Sequence, residues 1–386
     1  MVIAHYCVEH ISVQGEIYMD KIMMWIMAIC ALIGGTDRLL GNRLGLGKRF
    51  EDGFQLLGPT ALSMVGLICI TPLVSLGLEY TIVPFYRMLH LDPGMLGGIL
   101  ALDMGGYQLC KELALDPAIG RYGGIIVGAT LGCTITFTIP VGMGMLGERE
   151  KPLFAKGILA GLSALPVGIL VGGLLCGLSI GKLLIQSIPV FLLAVLLILG
   201  LSRFPDGMIR GFRVFAEIIR GAGTIGIALG AFSYMTGVQL LPEMAGLDEA
   251  LGVVSSIGIV LLGSLPFAEI LQRLLKKPLE WVGEKIGLGR LGTAGLLVGI
   301  VSALPVIADM KQMNEREIVM NAALLVCGTS MVAAHLGFVL GVDAPATGAL
   351  LAGKLTGGIA GVWMAWQIRK RLKAAETDRY KSKIQV

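Results

Sequence analysis

Apolar residues run through this chain in long blocks, with the polar residues gathered between blocks rather than alternating inside them. Charge-free runs cover 53–78, 122–147, 157–181, 183–202, 221–242, 250–268 and 318–342. A run at 344–368 is interrupted only by Lys354, and one at 17–36 carries Asp20 and Lys21 near its outer end. A helix needs about 20 apolar residues to cross a bilayer core, so each of these nine predicts a transmembrane helix.

Two further apolar segments carry too many helix breakers and charges to be read the same way. Residues 93–115 open with Pro93-Gly94 and hold Asp103, Gly105, Gly106, Lys111 and Glu112. Residues 291–313 hold Ser302, Pro305, Asp309 and Lys311, and Pro305 is expected to break the backbone. Basic residues gather on the cytoplasmic side of a membrane protein, so their distribution can choose between spans and re-entrant hairpins. If both segments cross, Lys and Arg divide 16 to 14 between the two sides. If both return to the side they left, nine crossings remain and the division becomes 25 to 5. The second arrangement is the expected one. It places the C-terminus in the cytoplasm and the N-terminus outside, with the first hairpin entering from outside and the second from inside.

The two halves share motifs in one order. Ser63-x-x-Gly66 matches Ser255-x-x-Gly258, Pro84 matches Pro278, and Lys111 matches Lys311. Val127-x-x-Thr130 matches Val326-x-x-Thr329, and Leu159-Ala160-Gly161 matches Leu351-Ala352-Gly353. The offsets drift only from 192 to 200. Combined with hairpins of opposite entry, this predicts an inverted structural repeat, a plan common in secondary transporters. The expected organisation is a dispensable extension at 1–18, one transmembrane repeat at 19–202, a second at 203–368, and a basic cytoplasmic tail at 369–386. Residues 1–18 lack the basic start and apolar core of a signal peptide.

Composition agrees. Charged residues are 15% of the 386, hydrophobic residues 55%, and mean hydropathy is +0.80. A soluble domain of this length cannot cover itself with so little charge. The fold class is therefore an all-α integral membrane bundle. The net charge of +4 comes from the tail, which alone carries +5, so it reads as a membrane anchor and not as a nucleic-acid surface. The seven Cys show no metal-ligand spacing, and no catalytic motif stands out, so neither metal, cofactor nor enzymatic activity is expected.

Ionisable groups at membrane depth are site candidates, because burying them is costly. Asp103, Tyr107 and Lys111 are spaced to share one helix face, with Gln108 and Glu112 on a neighbouring face. Ser302, Asp309 and Gln312 line one side of the second hairpin, while His335 and Lys354 lie inside the last two expected spans. The plainer readings are interfacial snorkelling for Lys111, Glu112 and Lys311, a cap for Asp103, and a carbonyl-bonded structural ring for His335.

Several segments resemble the ethanolamine-utilization permease family, EutH. They are Phe50-Glu51-Asp52-Gly53-Phe54, Asp103-Met104-Gly105-Gly106, Lys111-Glu112-Leu113, Pro166 with its Gly-rich sequel, Met310-Lys311-Gln312-Met313, His335-Leu336-Gly337-Phe338 and Gly353-Lys354-Leu355. The resemblance runs from Met19 to Trp366, and departs from the family pattern at Ser302-Ala303 and Ala334. It implies a multi-pass inner-membrane protein importing ethanolamine for catabolism, with membrane lipid as a partner and a homo-oligomer left open. Ethanolamine is a cation at neutral pH, so a site for it needs a carboxylate and a partner for its hydroxyl. Asp103, Tyr107, Gln108, Glu112, Ser302, Asp309, Gln312, His335 and Lys354 are the candidate substrate-binding residues. Transport of another small solute, coupled to an ion, is the alternative; a scaffold or an intramembrane enzyme is a more distant one.

Overall fold

The computed structural model describes the backbone of residues 2–100 and 103–384 and the side chains of residues 20–100 and 104–367. The side chains of the expected 1–18 extension, of Asp103 and of the basic tail lie outside the described residues. The described residues form helices joined by turns and short loops, with no strand among them.

Eight stretches are long and apolar enough to cross a membrane. They are Asp20–Leu39, Leu46–Thr81, Pro117–Met145, Glu150–Leu175, Ile180–Arg203, Pro205–Thr236, Leu247–Lys285 and Ala344–Gln367. These match eight of the nine expected spans. The ninth, 318–342, is divided into helices Glu315–Gly328 and Ala334–Val342. The helix stops because Thr329 is extended and Ser330 takes a left-handed φ of 56°, directly after Gly328.

Both odd segments are hairpins of short helices. The first rises through Pro93–Met95 and Leu96–Ile99 and returns through Asp103–Gly105 and Gly106–Leu113. Its arms are antiparallel, since Gly97 lies on Gly106 and Cys110 while Gly94 lies on Ala114. The second rises through Arg290–Gly299 and returns through Ala303–Asp309. At about 1.5 Å per residue, none of these arms is long enough to cross a bilayer core. The second hairpin breaks at 300–302, where Ser302 is extended, and not at Pro305. Pro305 instead sits in the first turn of the returning helix, where a missing N–H leaves no intrahelical bond unmade.

Each hairpin foot is tied to the next helix by one carboxylate. Asp92 accepts N–H bonds from Gly94, Leu115 and Asp116 at 2.8, 3.2 and 3.0 Å. Glu317 accepts from Gly289 and Asn314, both at 2.9 Å. Beside the first foot, hydrogen bonding from Lys182 holds the Asp116 carboxyl below its usual range.

Helix directions follow from close glycine contacts. Leu57–Thr81 and Pro205–Thr236 run parallel, with Gly66 on Gly223 and Gly226 and Cys69 on Gly230. Glu150–Leu175 and Glu315–Gly328 are also parallel, with Gly157 on Val319 and Ala322 and Gly161 on Ala323 and Val326. Three long helices separate the members of each pair, and so does one hairpin. The parallel sense therefore requires each hairpin to return to the end of the bundle it leaves. By contrast, Glu150–Leu175 and Thr347–Ile384 cross antiparallel, with Gly161 on Gly361 and Gly168 on Gly353 and Gly357.

Candidate functional site

The hairpin tips rest on two irregular stretches of backbone. The span under the first hairpin is π-helical through Tyr122–Gly132 and Thr134–Thr138. Gly98 of the hairpin lies on the Gly123 carbonyl and on Val127, and Gly124 lies on Tyr107. The tip of the second hairpin meets the broken helix, where the Val332 N–H donates to the Ile300 carbonyl at 3.2 Å. The π-helical stretch also touches the helix that precedes the break, because Thr134 donates its hydroxyl to the Val326 carbonyl at 3.0 Å.

Lys354 is 1% exposed and reaches into this junction from the last long helix. Its ammonium donates to the Ala129 carbonyl of the π-helical stretch. His335 is 2% exposed, and its Nδ1 meets the Thr329 carbonyl at 3.2 Å. The ring thus re-engages a carbonyl that the helix break releases. The Thr329 hydroxyl itself is buried without a hydrogen-bond partner, and so is Ser264 in the helix packed against Gly337.

Two cavities flank the returning arm of the first hairpin. One, of about 290 Å³, is lined by Tyr107, Lys111, Ala114, Pro117, Arg121 and Asp343. Inside it Arg121 grips Asp343 with two bonds, Nε to Oδ2 at 2.7 Å and Nη2 to Oδ1 at 3.1 Å. The Tyr107 hydroxyl donates to the same Oδ2 at 3.2 Å, and its ring stands edge-on to Phe338 at 5.8 Å. The other cavity, of about 230 Å³, opens at Met104 and Gly105 and includes Ser63, Thr136 and Arg220. The arm 104–114 therefore has a cavity at each end, the one at Tyr107 holding an ion pair and the other mostly apolar with Ser63, Thr136 and Arg220 in its wall.

The expected site residues divide into groups. Tyr107 and Lys111 share a cavity, as their spacing implied, and Lys354 and His335 lie at the junction. Gln108 is half-buried on the helix that carries Tyr107 and lies outside that cavity's lining. Asp103 begins a 3-10 turn ahead of the helix carrying Tyr107, so it does not continue that helical face, and its side chain lies outside the described residues. Glu112 is exposed and turns toward Ser75 on another helix. In the second hairpin Ser302 and Asp309 are half-buried and Gln312 is exposed. The cavity around Tyr107 includes none of these three.

Arg121 and Asp343 were not among the candidates. In the sequence Arg121 reads as one of the five basic residues on the external side of the expected arrangement. Asp343 occupies the one-residue gap between two expected spans, where it reads as a loop residue. A lone carboxylate between apolar runs of some 25 residues was the available signal, because such a group must be placed at a helix junction.

Residues 19–368 match the family model described as ethanolamine utilisation protein, EutH. A probable ethanolamine permease EutH of Listeria monocytogenes is 35% identical over 94% of this chain and 98% of its own length. The probable ethanolamine permease EutH of Salmonella typhimurium is 34% identical over 92% and 97%. The uncharacterized protein YxeR of Bacillus subtilis is 38% identical over 89% and 94%. No solved structure matches the chain.

Proposed function

Because the chain belongs to the EutH family, we propose that it is a permease carrying ethanolamine across the cell membrane. The observation that carries this reading is the pair of cavities at the two ends of the arm 104–114, each with charged or hydroxyl side chains in its wall, beside a π-helical stretch of backbone. Non-helical backbone at membrane depth is tolerated where it is buried in protein or lines a pathway. Both chambers exceed the volume of a four-heavy-atom solute. The route passes Tyr107, Gln108 and the Asp103 position, and the neighbouring junction holds Lys354 and His335.

The chain crosses the membrane nine times in this reading, counting the broken 315–342 segment as one crossing. The N-terminus is external, the C-terminus is cytoplasmic, and the two halves are inverted. The 25 to 5 charge division supports the orientation. The antiparallel crossing of Glu150–Leu175 with Thr347–Ile384 supports the inversion, since the matched Leu-Ala-Gly motifs make these two helices equivalent. Family matching from residue 19 supports treating 1–18 as an extension outside the transport core.

Asp103 is the carboxylate assigned to the substrate ammonium at mid-depth, and Asp309 is its counterpart in the second hairpin. Counterflow of labelled ethanolamine into proteoliposomes tests transport itself. Asp103→Asn keeps shape but removes charge. It should lower uptake at limiting substrate at least about tenfold at normal abundance, the effect of losing roughly 1.5–3 kcal/mol of charge-assisted bonding. Unchanged uptake in Asp103→Asn, with loss in Asp309→Asn, reverses the assignment. A reporter after Glu317 should read cytoplasmic and one after Asp116 external.

A further inference from the structure

We propose that the chamber around Tyr107, Arg121 and Asp343 is an entry site for a primary ammonium, which the substrate occupies by taking the Asp343 carboxylate from Arg121. This rests on the ethanolamine reading for its substrate and on the external placement of residues 113–121, but its geometry stands alone. The Asp343 side chain is 10% exposed and that of Arg121 is 32% exposed, so the carboxylate is sheltered and the guanidinium borders the chamber. Asp343 is the single anion among the lining residues, against two cations, Arg121 and Lys111. A cation entering this space is repelled unless it replaces Arg121 on Asp343.

The exchange balances only if the displaced guanidinium has somewhere to go, and the Arg121 side chain, 32% exposed at the chamber border, turns to water as the ammonium takes its place. Arg121 gives Asp343 two N–H donors, and a primary ammonium carries three. One charge-assisted pair therefore replaces another. The Tyr107 hydroxyl already sits at Oδ2, within reach of a hydroxyl two carbons from the ammonium. A quaternary ammonium has no N–H and cannot replace what Arg121 gives up. The site thus selects by donor count, and it discriminates ethanolamine from choline before either reaches the membrane interior.

The same pair joins parts distant in sequence. Tyr107 belongs to the first hairpin, Arg121 opens the span that follows, and Asp343 lies between the broken helix and the last long helix. Releasing Arg121 from Asp343 therefore loosens a tie between the two halves at the moment the substrate binds.

Three variants in proteoliposomes test this, with initial uptake rates and abundance measured together. Asp343→Asn should raise KM for ethanolamine at least about tenfold. Arg121→Gln leaves the carboxylate without its competitor and should lower KM. Because a purely structural ion pair would make both substitutions harmful in the same direction, opposite shifts in KM identify exchange. An unchanged KM in Asp343→Asn, or a raised KM in Arg121→Gln, overturns the proposal. Should either variant fail to accumulate, Ala114→Cys places a thiol in the chamber wall with the pair intact. Ethanolamine should slow its labelling by an impermeant maleimide at least about fivefold and choline should not; equal protection, or none, overturns the proposal. Failure of the wild-type chain to show ethanolamine counterflow overturns the transport reading alone, because protection by a panel of primary amines reads the site directly.

Discussion

The span Pro117–Met145 and the segment 315–342 follow the two hairpins in the same way, yet they handle one structural demand differently. Each begins with a capped first turn, Asp116 accepting from Ala118 and Asn314 accepting from Arg316 and Glu317. Each leaves α-helical geometry near its Val-x-x-Thr motif, at the level where a hairpin tip must be seated. The first does so without interruption. Thr130, Thr134 and Thr136 donate to carbonyls four residues back, at 2.7, 2.8 and 2.9 Å. The same bonds occur in ordinary helices at Thr71 and Thr356, so they accompany the π-helical form and do not impose it. The second breaks outright, and the freed groups are recovered from outside the helix by His335 and by Ile300 of the hairpin. A widened helix keeps its own hydrogen bonds; a broken one depends on neighbours that can move. The comparison makes 315–342 the more easily remodelled of the two and 117–145 the fixed wall.

Lys354 offers the largest test, since it fastens the last long helix to the fixed wall. Lys354→Met should abolish most transport, a fall of at least about tenfold, because a buried ammonium bonded to a carbonyl is worth roughly 1.5–3 kcal/mol. Insertion should be unaffected, since an intramembrane charge is removed and not added. Equal transport by Lys354→Met would show that the junction does not need the tie. His335→Ala and Thr134→Val then compare the two spans directly. His335→Ala removes a buried ring and orphans the Thr329 carbonyl, and should cost about 2–4 kcal/mol. Thr134→Val removes one cross-span bond among several and should cost about 1 kcal/mol. Thermal unfolding in detergent should show the larger fall for His335→Ala; the reverse order would make the π-helical wall the weaker element.

Much of this architecture was legible in the sequence, for physical reasons that differ by element. The spans were legible because bilayer thickness sets a length and hydrocarbon forbids charge, which leaves uninterrupted runs such as 183–202. Both hairpin segments stood out through their own Pro, Gly and charged residues, and the basic residues around them then argued for a return over a crossing. The break at 329–333 was not, because Gly328, Thr329 and Ser330 also occur within apolar helices and the run carries no charge. Nor were the π-helical turns, since Thr is compatible with an ordinary helix and only tertiary seating selects the wider one. Spacing put Tyr107 and Lys111 on one helix face, and both line the same cavity. It could not pair Arg121 with Asp343, which lie 222 residues apart and meet only through the packing of the two halves.

The smallest effect concerns Ser330, at the point where the two spans differ most. Among the described residues only four non-glycine positions have positive φ, and Ser330 is one of them. None falls within Pro117–Met145. A left-handed serine costs on the order of 1 kcal/mol relative to glycine, which enters that region without a Cβ clash. The backbone at 330 is held there by its own carbonyl, which accepts N–H bonds from Ala333 at 3.4 Å and His335 at 3.1 Å. Those bonds survive substitution, so Ser330→Gly should stabilise the folded protein by about 0.5–1 kcal/mol, less the chain entropy glycine adds to the unfolded state. The melting temperature should rise by about 1–2 °C. Transport should change little if the break is a permanent seat for the hairpin. If Ser330→Gly raises the melting temperature and slows transport together, the strain at 330 serves the transport cycle, and the broken segment is the moving partner of the π-helical wall.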